Sequence, residues 1–112
     1  MVQTRKQSSA RLASLFPAEL LRAVSDPRRI EILSRLACAR APCTVSEIAS
    51  RCPIDLSVVS RHLAVLRDAG VLESARTGRE VRYTLQTARV VAALRALADA
   101  LESCCATPRE SE

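Results

Sequence analysis

LSVVSRHLAVLRDAG, residues 56–70, carries two patterns on one segment. Val59, Leu63 and Leu66 fall at i, i+4 and i+7, which predicts one apolar face of a helix. Asp55 is placed to cap its start, and Gly70 to end it as a C-terminal cap residue. The opposite side offers Ser57, Val58, Ser60, Arg61 and Ala64. Small and hydrogen-bonding residues around one arginine suit a helix that must come close to another surface. Arg61 could then reach a phosphate or a guanine edge, with Ser57, Val58 and Ser60 beside it.

Upstream, TVSEIAS (44–50) has Thr44 and Glu47 at capping-box spacing, with Val45, Ile48 and Ala49 as its buried side. CPIDL (52–56) turns the chain, because Pro53 disfavours helix at Cys52. The unit is therefore helix, turn, helix, and in such a unit the second helix enters the major groove of DNA. Downstream, VLESAR (71–76) and EVRYTL (80–85) flank Thr77-Gly78-Arg79. Val81, Tyr83 and Leu85 alternate with Arg82 and Thr84, the pattern of a half-buried strand, so the pair reads as a hairpin or wing. Arg76, Arg79 and Arg82 lie on or near its tip, suited to phosphates or a minor groove. His62 is the one histidine of the chain, and without a second it reads as a packing or positioning residue rather than a metal ligand.

The remaining segments are helical. PAELLRAV (17–24) places Leu20, Leu21 and Val24 on one face. A helix over 27–39 starts at Asp26-Pro27, with Ile30, Leu33 and Leu36 predicted inward. TARVVAALRALADALESCC (87–105) repeats Val90, Leu94, Leu97 and Leu101 in a narrow seam, which is what one helix offers another. The expected fold is mainly α with a small β-hairpin: a winged helix-turn-helix over 15–105. Residues 1–14 read as a loose basic arm and 106–112 as a tail.

The chain has 112 residues and a net charge of +5, enough for one domain with a basic surface. Lys6 is the single lysine among 17 basic residues; the rest are arginines, the fork-shaped donors suited to phosphate and guanine. Phe16 and Tyr83 are the only aromatics, so the core must be aliphatic, and a partner subunit often completes such a core. The N-terminus lacks the apolar stretch of a secretory signal, and no apolar run approaches the ~18 residues of a membrane span. A cytoplasmic location is expected, where thiols stay reduced.

LRAVSDPRRIEILSRL (21–36), VSEIASRCPIDLSVVSRHLAVLRDAGVLESARTGREVRYTL (45–85) and above all SRHLAVLRDAGV with its arginine-rich wing resemble the ArsR/SmtB family of winged-helix repressors. The resemblance covers residues 15–104. It implies a homodimer built through the first and last helices. It also implies binding to double-stranded operator DNA, and release when an inducer, mostly a metal or metalloid and sometimes a reactive sulfur species, is bound. Dimerisation with two recognition helices would match a near-palindromic operator.

Five cysteines remain to be placed: Cys38, Cys43, Cys52, Cys104 and Cys105. In arsenic-binding relatives with a cysteine triplet on the first helix of the helix-turn-helix, the matching positions here are Thr44, Ser46 and Ala49. The histidine and carboxylate set of zinc- and nickel-type members has no histidine on the last helix here. Glu102-Ser103-Cys104-Cys105 is similar to the vicinal pair of some arsenic-responsive members. A disulfide between these neighbours is strained, since adjacent Cα atoms lie ~3.8 Å apart and a relaxed bridge wants ~4.4–6.8 Å. Soft thiolates select soft acceptors, which makes arsenite the expected inducer at Cys104 and Cys105, with no organic cofactor. Trivalent arsenic prefers three thiolates; Cys52, in the turn before the recognition helix, is the candidate third, and Cys38 the next. Mercury, which two thiolates can hold, is the alternative inducer. A persulfide or redox signal is another, although the position expected for a sulfur-sensing cysteine is Ser34, with Cys38 one turn later. An architectural DNA-binding protein with inert cysteines also stays open. No Cys-x5-Arg or C-x-x-C motif occurs, nor a His-Asp pair that would activate a thiolate, so an enzyme is not expected.

Overall fold

A computed structural model describes residues 10–39 and 41–110, with side chains as far as Cys104. Residues 1–9 of the expected arm and the side chain of Cys105 lie outside the described residues. The elements in chain order are α1 (residues 10–15), α2 (Ala18–Ala23), α3 (Pro27–Cys38), β1 (Cys43–Thr44), α4 (Val45–Arg51), α5 (Leu56–Asp68), β2 (Leu72–Thr77), β3 (Glu80–Leu85) and α6 (Thr87–Glu110). The fold is mostly helical with a small antiparallel sheet, as the sequence predicts. The chain divides into two units, one of residues 19–87 and one of residues 1–18 with 88–112.

Each helix start in the first unit is written in a side chain. Asp26 accepts the backbone N–H of Arg28 at 2.8 Å, with Pro27 in the first turn. Thr44 and Glu47 form a reciprocal capping box, Glu47 N–H to Thr44 Oγ1 at 3.2 Å and Thr44 N–H to Glu47 Oε1 at 2.8 Å. Asp55 caps α5 by accepting the N–H of Ser57 at 3.2 Å. At the other end of α5, Gly70 sits at φ 81°. Val71 N–H donates to Leu66 O and Gly70 N–H to Arg67 O, both at 2.9 Å, which is a Schellman motif.

The core of this unit is aliphatic. Ile32, Val59, Leu63 and Leu66 are wholly buried, and Leu20, Ala23, Leu36, Ile48, Val71, Leu72 and Tyr83 nearly so. The α5 face is the one the spacing predicts. The α2 and α3 faces agree only in part: the predicted Leu20 and Leu36 turn inward, joined by Ala23 and Ile32, while Leu21 is exposed and Ile30 is 51% exposed. IEILSRL offers two overlapping stripes, one through Ile30 and Leu33 and one through Ile32 and Leu36. Packing of α3 against α4, α5 and β3 selects the second.

The sheet has three strands in the order β1-β3-β2, one more than the expected hairpin. β1 pairs antiparallel with β3, Cys43 opposite Tyr83 and Thr44 opposite Arg82. β2 pairs β3 from Leu72–Leu85 to Thr77–Glu80, which leaves Gly78 and Arg79 as the turn. Gly78 has φ 65° and Arg79 has no positive φ, so the turn places glycine where a left-handed residue is required.

In the second unit, residues 10–15 are helical rather than a loose arm, since Leu12, Ala13 and Leu15 favour helix more than the basic residues before them suggest. α6 runs past the expected end at 105 to Glu110, so Cys104 and Cys105 stand within a helix, not at its edge. Val91, Leu94 and Leu101 form an exposed apolar stripe along α6. No described helix is long and apolar enough to cross a membrane.

Candidate nucleic-acid interface and thiol positions

The buried side of α5 fixes its outward side. Val59, Leu63 and Leu66 hold the helix against the core, so Ser57, Ser60 and Arg61 are exposed and Val58 is half-buried at their margin. Ser57 gives both its hydroxyl and its N–H to Asp55 Oδ2. Those bonds lower the pKa of the Asp55 carboxyl, its hydroxyl partner most of all, and leave the Ser57 oxygen as an acceptor. In a groove that oxygen suits base-edge donors better than phosphates. Arg61 is a donor without that constraint: it makes no ion pair among the described residues.

The wing presents Arg76 and Arg79 to solvent, again without an ion pair among the described residues. Arg82 differs from the expectation. Its guanidinium meets Glu80 at 2.8 Å and Glu47 at 3.7 Å, and donates to Pro42 O at 3.4 Å. These contacts lie at the domain's surface, where Arg82 joins β3 to the segment before α4 and to the capping box. Glu47 is correspondingly stabilised as a carboxylate: the N–H of Thr44 lowers its pKa most, with Arg82 assisting. The alternation of β3 places Glu80 and Arg82 on one face, but it does not mark the contact with Glu47, which lies in another element.

His62, half-buried on α5, accepts a hydrogen bond at Nδ1 from Arg29 Nε at 3.1 Å. The same guanidinium donates through Nη1 to Ala23 O at 3.0 Å. The sequence reading of His62 as a positioning residue therefore acquires a partner, 33 residues away.

The four described cysteines are free thiols. Cys104 is exposed on α6, and the side chain of Cys105 lies outside the described residues. Cys38 is exposed at the end of α3, lining a surface cleft with Glu31, Ser34, Arg35, Ala39 and Arg51. Cys43 is half-buried on β1, its thiol against Ala41 O at 3.5 Å. Cys52, the expected third ligand, is wholly buried as the C-terminal cap residue of α4. Burial pushes its thiol pKa up, and the Glu31 carboxylate adds to this against an opposing Arg35. In this structure Cys52 is a core residue of its unit. Among the described residues no three of His, Cys, Asp and Glu are gathered as a metal cage.

The thiols should accordingly separate in a labelling experiment. Brief iodoacetamide treatment at pH 8 is expected to alkylate Cys38 and to leave Cys52 unmodified until denaturant is added, because Cys52 is reached only by opening of the core. Peptide mass spectrometry reads this directly, and equal labelling of both in native protein would contradict the burial.

The comparisons with known proteins agree with this geometry. A family model described as a helix-turn-helix domain matches residues 24–75. The chain is 34% identical over 85 residues to a transcriptional repressor SmtB homolog of Synechocystis sp., an alignment that takes in 76% of this chain and 63% of that one. It therefore spans less than two thirds of that relative's length. Among solved structures, an ArsR-like transcriptional regulator from Rhodococcus sp. RHA1 superposes with TM-score 0.66 at 32% identity, over 88% of both chains. A possible transcriptional regulator for arsenical resistance superposes with TM-score 0.63 at 31% identity, over 75% of this chain and 84% of that one.

Proposed function

The chain belongs to the ArsR family of winged-helix transcriptional regulators, and on that premise we propose that it is a dimeric repressor which leaves its operator when trivalent arsenic binds Cys104 and Cys105. The observation that carries the DNA-binding half is the outward face of α5, where Ser60 and Arg61 are exposed on a helix anchored by three wholly buried residues. Two such helices in a symmetric dimer would enter successive major grooves, with Arg76 and Arg79 of each wing on the backbone. The exposed stripe Val91, Leu94 and Leu101 on α6 supports a subunit interface along that helix.

The inducer half rests on chemistry. Consecutive thiols on α6, one of them exposed, supply two soft ligands to one ion. The likeness to a possible regulator for arsenical resistance supports arsenic as that ion. Because Cys52 is closed off in the core, a small exogenous thiol completes the trigonal set in this reading. Arsenic then acts by binding the DNA-free form of the dimer more tightly than the operator-bound form.

The test is a titration. A duplex selected from a random-sequence pool by the protein itself is labelled and followed by fluorescence anisotropy while arsenite, Hg(II), Zn(II) or a persulfide donor is added. Arsenite with a small thiol present is expected to release the duplex, and Zn(II) is not. Release by Hg(II) alone would move the assignment to mercury, and failure to select any duplex would overturn the repressor reading. The exposed Cys38, in a cleft with Arg35 and Arg51, favours one second reading, a persulfide-responsive regulator. A covalent link from Cys38 to Cys104 or Cys105 after persulfide treatment would establish it.

A further inference from the structure

We propose that Arg29 and His62 are positioning residues that set the roll of α5 about its own axis, and so decide which edges Ser60 and Arg61 present to the bases. The inference rests on α5 being the DNA-reading helix. Arg29 lies in the first turn of α3, two residues after Pro27. Its guanidinium donates to two other helices at once. One bond goes to the carbonyl of Ala23, the last residue of α2 and 3% exposed. That carbonyl is one of the four at a helix end that no intrahelical N–H can satisfy. The other bond goes to Nδ1 of His62, in the middle of α5. A single planar side chain thus ties the end of α2, the start of α3 and the face of α5 into one geometry, and a guanidinium fork is stiff enough to transmit it.

The register of the helix makes the consequence specific. His62 is flanked by Arg61, exposed on the outward side, and by Leu63, wholly buried. It stands at the border where the core ends and the reading face begins. Leu63 and its neighbours resist withdrawal of the helix, but an aliphatic contact is non-directional and tolerates small rotations. A hydrogen bond does not. A side chain at a radius of about 5–6 Å moves roughly 2 Å for a 20° roll, which takes a 3.1 Å bond out of range. The same roll would carry Arg61 off a guanine edge, where bidentate pairing demands comparable accuracy.

The bond also fixes the state of the imidazole. Nδ1 accepts only when it carries no proton, so the bond requires the Nε2–H tautomer of the imidazole. That gives a chemical test of position. An asparagine side chain places a carbonyl oxygen near where Nδ1 stands, while a glutamine reaches the place of Nε2 and offers nothing at Nδ1.

The experiment uses the full-length dimer and two duplexes, the selected operator and a random-sequence control. His62→Gln is expected to lose about tenfold in operator affinity, the size of one hydrogen bond to a charged group, with binding to the control within about twofold. His62→Asn is expected to recover operator affinity, and Arg29→Gln to behave like His62→Gln. Equal operator affinity for the Gln and Asn variants, or a parallel fall on both duplexes, would overturn the inference. Arg61→Ala serves as the reference: if it too is silent on the operator, the failure belongs to α5 as the reading helix. Should the Gln variant not fold, the unmodified protein still decides the matter. With one histidine in the chain, its imidazole ¹⁵N signals need no assignment, and at pH 7.5 they are expected to report the Nε2–H tautomer. The Nδ1–H tautomer would overturn the inference.

Discussion

A protein carrying both Cys104→Ser and Cys105→Ser will bind its operator as the parent does, and arsenite will no longer release it. Serine keeps the size of the side chain but replaces a soft, ionisable sulfur with a hydroxyl that does not hold a thiophilic ion at neutral pH. Neither position belongs to α5 or the wing, and a substitution at an exposed position such as Cys104 shifts stability by only about ±0.5 kcal/mol. DNA affinity without inducer should therefore be unchanged. Allosteric couplings typically amount to about 1–3 kcal/mol, or roughly 5–150-fold in affinity. That whole factor should collapse to one in the double variant. Anisotropy titrations with and without arsenite measure both quantities on one sample. If arsenite still releases the variant, the pair is not the input, and Cys38 becomes the thiol to replace, since it is exposed where Cys52 is not.

Leu63→Ala is expected to give the largest loss of stability. Leu63 is wholly buried, at the centre of the face that holds α5 in place. Truncating such a leucine costs about 2–5 kcal/mol through lost burial and the cavity left behind. A domain of this size has about 5–15 kcal/mol in total, so the variant should melt far below the parent and fall short of full occupancy at 37 °C. Ile30→Ala is the matched control. Ile30 is 51% exposed, and its truncation should change the melting point little. Denaturant midpoints at one fixed protein concentration compare the two, as the proposed dimer requires. A large effect at Ile30 would mean that α3 packs through Ile30 beside Leu36, not through Ile32.

That contrast shows what was legible in the sequence and what was not. α5 was readable because Val59, Leu63 and Leu66 line up at helical spacing between two cap residues, Asp55 and Gly70. The Thr44–Glu47 box was readable for the same reason. α3 was ambiguous, since two apolar stripes overlap in IEILSRL and tertiary contact chose between them. β1 left no signal, because a strand of two residues is too short to show alternation. The reading face of α5 followed from its core face, so Ser60 and Arg61 came with the helix. The link from Arg82 to Glu47 and the meeting of Arg29 with His62 could not be seen, because both depend on partners distant in the chain. Cysteine is the hardest type to place: it is as much at home in a core as in a ligand set, and the sequence could not tell that Cys52 belongs to the first.

The short strand β1 has a mechanical consequence. Cys43 and Thr44 are paired to β3, Thr44 also caps α4, and Arg82 pins β3 to Glu47 beside that cap. Strand pairing and the Arg82–Glu47 contact thus join the wing to the helix-turn-helix as one jaw. In the proposed repressor, a ligand bound on α6 would act on the gap between two such jaws, which must match the one-turn repeat of about 34–36 Å on the DNA. On that reading the dimer works as a caliper: induction would alter its opening, and the operator would be released because it no longer measures the right length.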